Sequence, residues 1–140
     1  MANKHKKMLM DHIAEMLRLE NENDYIEIYE RLADNFFMVR PSGNPLTKPG
    51  WLGLAKSTDM EIINTKLIQF NIVEVNNEGT MGYVCYTTQS KFKFKGVEND
   101  DVAVFTTIFK RDEEEGDGWK MVFMQRSQGR KPSSPMPKFF

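Results

Sequence analysis

The stretch EIINTKLIQFNIVEV, residues 61–75, is where the chain changes its period. It is dense in β-branched and apolar side chains. Ile62, Lys66, Ile68, Phe70 and Ile72 fall in one alternating set, and Ile63, Leu67, Gln69, Val73 and Val75 in the other, which predicts a long strand. NNEG, residues 76–79, supplies a turn into a second β-rich run at 80–94. A third run, 102–110, follows the acidic segment VENDD, read as a turn, and a fourth, 119–127, follows RDEEEGDG. Four long strands joined by short polar connections predict an antiparallel meander rather than alternating β-α units.

Neither face of these strands is polar throughout. Met121 and Phe123 alternate with Val122 and Met124, and Phe105 and Phe109 with Val104 and Ile108. Both faces therefore need cover. Helices earlier in the chain can supply one layer, and a second copy of the chain the other, so a homodimer is expected.

Upstream, Leu9, Ile13, Met16 and Leu17 recur at helical spacing, leaving Lys6, Lys7, Asp11, Glu15 and Arg18 for solvent. The polar NEND, residues 21–24, interrupts that stripe, and Asn21 or Asn23 is expected to cap a second helix buried through Tyr25, Ile28, Tyr29 and Leu32. Residues 36–39 suit a short strand or the end of that helix. Arg40 precedes Pro41 and is biased towards extended backbone. PSGNPLTKPG, residues 41–50, is a run of turn signals leading to a short helix that starts at Pro49 or Gly50 and includes Trp51, Leu52, Leu54 and Ala55. Between the second helix and the sheet, this run is placed to shape a rim.

The chain has 140 residues, 40% hydrophobic and 28% charged, enough for one domain with its own core. We read residues 1–129 as that domain and 130–140 as an extended tail whose Phe139 and Phe140 can dock on the body. The formal charge of −1 gives no global attraction for nucleic acid or an anionic membrane. No apolar run has the length of a membrane span and no cleavage signal follows the first helix, so a soluble, cytoplasmic protein is expected. Cys85 is the single cysteine and reads as strand filler. His5 and His12 have no matching ligands, and residues 112–118 lack calcium-loop spacing, so no metal is expected.

The order of helix, helix, Phe-rich break, Pro/Gly loop, small helix and four strands, over residues 9–127, resembles the NTF2-like superfamily, particularly its SnoaL-like and DUF4440-like small proteins. The closing GWKMVFMQRS, residues 118–127, also resembles the last strand of the calcium/calmodulin-dependent kinase association domain. The resemblance implies an α+β cone, with N-terminal helices packed in a strongly bent mixed or antiparallel sheet around a cavity. It implies no single activity, because superfamily members include isomerases, dehydratases, polyketide cyclases, oligomerisation domains and transport factors. The imidazole that the association-domain strand usually carries is absent, with Phe123 and Gln125 standing there beside Arg126.

Arg126 resembles the cavity-facing arginine of that domain, where a guanidinium can hold a carboxylate through two hydrogen bonds; its alternative role is an ion pair with an internal acid. Arg40 can reach over the mouth. Trp51, Phe36, Tyr25 and Gln125 complete the candidate ligand contacts. For proton transfer the candidates are Asp59, Asp24, Tyr83 and Tyr86, since a carboxyl held among aromatic groups is poised near neutrality. No acid-base pair is fixed by these patterns, so whether the chain is an enzyme stays open. The expectation is a pocket protein for a small hydrophobic or carboxylate-bearing organic molecule. The alternatives are an isomerase, dehydratase or polyketide cyclase needing no cofactor, and an oligomerisation module without chemistry.

Overall fold

A computed structural model describes residues 2–112 and 116–133. Helix α1 (Ala2–Asn21) is followed by α2 (Tyr25–Glu30), β1 (Leu32–Val39), β2 (Leu46–Thr47), α3 (Lys48–Lys56) and the strands β3 (Met60–Val75), β4 (Met81–Phe94), β5 (Val97–Arg111) and β6 (Trp119–Arg126). One mixed sheet runs β2-β1-β6-β5-β4-β3. The meander β3 to β6 is antiparallel as expected, and β1 joins β6 in parallel.

The apolar stripe of α1 lies against the sheet, with Leu9, Ile13, Met16, Leu17 and Leu19 all buried. Gly82 on β4 makes this approach possible: a Cβ there would lie 2.7 Å from both Leu9 Cδ1 and the Glu74 carbonyl oxygen. The break between helices departs from the sequence reading. Asn23 adopts a left-handed φ of 58°, and Asn23 N and Asp24 N donate to the Glu20 and Leu19 carbonyls, which closes α1 in a Schellman arrangement. Asp24, rather than Asn21 or Asn23, caps α2 by accepting from Glu27 N at 3.2 Å. Asn21 is used elsewhere. Its side-chain amide donates to Thr65 O and accepts from Thr65 N, both at 2.7 Å, supplying the edge strand β3 with a strand-like pair of bonds.

Residues 36–39 belong to β1, and α3 begins at Lys48 with Thr47 as its cap. VENDD is strand, not turn. The reversal is Lys95-Gly96, both at positive φ (51° and 81°), a two-residue connection whose twist suits a hairpin. The acids that suggested a loop lie across from bases, Glu98 opposite Lys93 and Asp100 opposite Lys91. Cross-strand charge pairing offsets their poor strand propensity.

Simple alternation also fails inside the strands. In β3 the pairing slips between Ile62 and Asn64, Leu67 and Gln69, and Phe70 and Ile72. Each irregularity bends the strand and resets which side chain faces inward. Thr65, Leu67, Phe70, Val73 and Val75 turn towards the core, whereas Ile63, Ile68 and Ile72 are left 45%, 49% and 44% exposed. A further slip lies between Ile108 and Phe109, so that Phe123 pairs with Ile108 and Met121 with Phe109. Met121 and Met124 are consequently both buried, and Phe123 sits beside the exposed Phe37. The expectation that Met121 and Phe123 share a face is corrected by this slip. The result is the expected α+β arrangement, with helices inside a strongly bent sheet.

Past β6, Ser127 N donates to Val104 O, and Arg130 exchanges two backbone bonds with Val102. The proposed docking of Phe139 and Phe140 lies outside the described residues, as do residues 113–115 of the acidic hairpin. Asp112 N donates to Gly118 O across that hairpin, and Asp117 is more than a solvated charge: its Oδ2 meets His12 Nε2 at 2.7 Å. His12 Nδ1 in turn faces Arg31 Nη1 at 3.1 Å, fastening the hairpin to α1.

Candidate functional site

The bend leaves a cavity of about 350 Å³ between the helices and the upper half of the sheet. Met16 and Glu20 of α1, Tyr25 and Ile28 of α2, and Trp51, Leu54 and Ala55 of α3 form one wall. Met60, Ile62, Phe92, Phe94, Phe105 and Met124 form the other. Tyr25 and Trp51 meet edge to face at 6.4 Å between ring centroids.

Arg40, Pro41 and Ser42 form part of the lining, so the Pro/Gly stretch does border the cavity. Gly43 N donates to Arg40 O at 2.9 Å with Gly43 at φ 80°, a tight turn that glycine adopts without a steric cost. The Arg40 side chain donates from Nε to Asn44 O at 3.0 Å, which leaves its other nitrogens available. Arg126 also lines the cavity, at the β6 end. It lies 3.4 Å from Asp101 Oδ2 and packs over Phe92 and Phe105, at 5.9 and 6.0 Å from their ring centroids. Its charge is therefore already balanced by an internal acid.

Of the residues singled out from sequence, Tyr25, Arg40, Trp51 and Arg126 come together here. The others do not. Asp24 is occupied as the α2 cap. Asp59 is exposed between α3 and β3, where its carbonyl accepts from Lys95 N. Tyr83 is 38% exposed on the outer sheet face, and Gln125 is exposed opposite Thr106. Phe36 is core. Tyr86 is fully buried, stacked on Phe105 and bonded to Thr107 Oγ1 at 3.2 Å; burial pushes its phenol well above the ordinary tyrosine range.

The acid of the cavity is Glu20, which no motif indicated. Glu20 is half-buried, its carboxyl has no hydrogen-bond or ion-pair partner among the described residues, and its partial desolvation against the apolar lining pushes it up from 4.5 towards about 7. The same burial, with the nearby Glu20 and Glu61 charges, raises the Tyr25 phenol. The signal for Glu20 was spacing: it lies three residues beyond Leu17 and four beyond Met16, on the buried stripe of α1. No group of three or more His, Cys, Asp or Glu among the described residues is arranged to hold a metal ion. No described helix is long and apolar enough to cross a membrane.

Residues 7–135 match the family DUF3804, described as "Protein of unknown function (DUF3804)". No curated protein matches the sequence. Among solved structures, the chain is similar to an NTF2-like protein of unknown function from Prochlorococcus marinus (Prochlorococcus sp. NATL2A). That pair is 32% identical, covers 72% of this chain and 76% of the other, and has a TM-score of 0.64. An NTF2-like protein from Cytophaga hutchinsonii is 16% identical with a TM-score of 0.76, over 86% of this chain and 95% of that one. A putative Ca/calmodulin-dependent kinase II association domain from Exiguobacterium sibiricum is 17% identical with a TM-score of 0.74, over 89% and 92%. At such identities the last two speak to fold alone, and the fold they share with this chain is the bent sheet around helices described above. The chain belongs to the DUF3804 family, and its fold is that of the NTF2-like superfamily.

Proposed function

We propose that this chain is a small-molecule pocket protein that takes an apolar organic molecule bearing a carboxylate, acts as a homodimer and resides in the cytoplasm. The observation that carries the reading is the cavity itself: about 350 Å³, walled mainly by aromatic and aliphatic side chains, with two arginines among its lining residues. Apolar walls supply affinity and a few placed polar groups fix orientation. Of the two arginines, Arg40 is the anion contact, because Arg126 already has Asp101. Kinship within the superfamily to SnoaL-like and DUF4440-like proteins rests on the order of elements over residues 9–127, and kinship to the kinase association domain on the closing strand at residues 118–127.

The homodimer is supported by the outer sheet face. Tyr83, Ile108, Phe123 and Phe37 line up across β4, β5, β6 and β1, with Ile72 and Val104 beside them, and most are substantially exposed. A contiguous apolar patch of this kind marks an association surface.

Isothermal titration calorimetry with 5-phenylpentanoate, an apolar carboxylate, tests the pocket. Saturable binding that weakens about tenfold or more in Arg40→Ala is expected, one charge-assisted contact being worth at least that. No heat of binding, together with no retained mass in native mass spectrometry of the purified protein, would count against the reading. A second reading, proton-transfer chemistry without a cofactor, is favoured by Glu20 alone, an unpartnered carboxyl near neutrality inside the cavity.

A further inference from the structure

Resting on the pocket reading above, we propose that Glu20 is a second polar contact of the cavity, its carboxyl donating a hydrogen bond to the ketone oxygen of an apolar keto acid whose carboxylate lies against Arg40. Three observations lead there. First, Glu20 lines the cavity from a fixed stretch of backbone: the Schellman closure uses its carbonyl, and the adjacent Asn21 is locked to Thr65 by two bonds of 2.7 Å. Second, the polar groups that could satisfy it from within are already committed. Tyr25 Oη donates to Asn23, Ser90 Oγ pairs with Thr65 Oγ1, Tyr86 Oη pairs with Thr107, and Arg126 with Asp101. A carboxyl that lines an apolar cavity and has no partner in the protein is a place for one on a ligand. Third, burial raises its proton affinity to about 7, so the acid form, a donor, is well populated near and below neutrality.

The ligand class follows from the charges around it. The titratable or charged groups facing Glu20 are Tyr25 from α2, Tyr86 from β4, and Arg40 and Arg126 in the lining, with Glu61 acting on Tyr25 from β3. Arg40, the arginine of the lining that has no acid partner among the described residues, disfavours a cationic amine in the same cavity. A neutral acceptor at Glu20 and an anion at Arg40 leave both groups satisfied.

The test compares 5-oxo-5-phenylpentanoate with 5-phenylpentanoate, which differ only in the ketone, by calorimetry at pH 5.5 and 8.5. The wild-type protein is expected to prefer the oxo compound about tenfold at pH 5.5, as one net hydrogen bond allows, and to lose that preference at pH 8.5. Glu20→Leu is expected to bind both probes equally at both pH values. Glu20→Gln, whose amide donates at any pH, is expected to keep the preference at 8.5, an outcome that a merely structural role would not produce and one that stands even if the Leu variant fails to fold. Equal affinities of the wild type for the two probes at pH 5.5 overturn this inference while leaving the pocket reading intact. Failure of both probes to bind the wild type overturns the two together.

Discussion

Glu20 makes stability fall as pH rises, opposite to the usual behaviour of a carboxylate stabilised by an ion pair. An unfolded glutamate releases its proton near 4.5, whereas in the folded protein burial holds it to about 7. Between those values the folded state binds more protons than the unfolded one, so the contribution of Glu20 is fully present below about pH 4.5 and is lost as pH rises through about 7. At 1.36 kcal/mol per tenfold change in proton affinity, this amounts to at most about 3 kcal/mol, and water in the cavity lowers it. Urea unfolding at intervals from pH 4.5 to 8.5, on the wild type and on Glu20→Gln, isolates it, because every other titrating group is common to both. The expected difference curve drifts by roughly 1–3 kcal/mol in favour of the Gln variant as pH rises, with unchanged m-values. A flat difference curve, or one of opposite sign, would refute the placement of this carboxyl in a desolvated site.

Gly82→Ala is expected to cost about 1–3 kcal/mol, seen as a lower denaturation midpoint, because the new Cβ would meet the Glu74 carbonyl at 2.7 Å and backbone cannot yield cheaply there. Ile72→Lys puts a charge on the outer face at a position 44% exposed in the single chain, so it is expected to spare the monomer fold while shifting dimer to monomer in light scattering; an unchanged mass would place the subunit contact elsewhere.

What could be read from the sequence divides along physical lines. α1 was legible because its buried positions, Leu9 to Leu19, keep a single period over about three turns, and the meander because turn residues punctuate it. The start of β5 was not, since Glu98, Asp100 and Asp101 look like loop until the partners Lys93 and Lys91 are seen across the ladder. The inner faces of β3 and β6 were illegible for a different reason: bulges are set by tertiary strain and leave no composition mark, yet each one reverses the alternation that follows. Among site residues, Arg126 was reached through family resemblance. Glu20 lies one turn beyond Met16 and Leu17 on the stripe of α1, but a glutamate at the end of an apolar stripe carries no composition mark that separates a cavity acid from a solvated one.

The same irregularities shape both faces of the sheet. With strict alternation, Ile68 and Ile72 would point inward together with Phe70 and fill the concave side, whereas the observed slips send both isoleucines out to the apolar outer face. One set of bulges therefore serves two surfaces: it removes bulk from the interior and supplies the patch on which a second subunit can pack. The charges follow a similar economy. Asp101, on a segment that reads as a loop, neutralises Arg126, and Gly129 lets the chain pass so close over Asp101 that a Cβ there would lie 2.6 Å from its Oδ2. Pairing of Arg126 with Asp101 leaves Arg40 and Glu20 as the two charged cavity groups whose chemistry is not already spent within the protein, one a fixed cation and the other an acid whose proton affinity is raised towards neutrality.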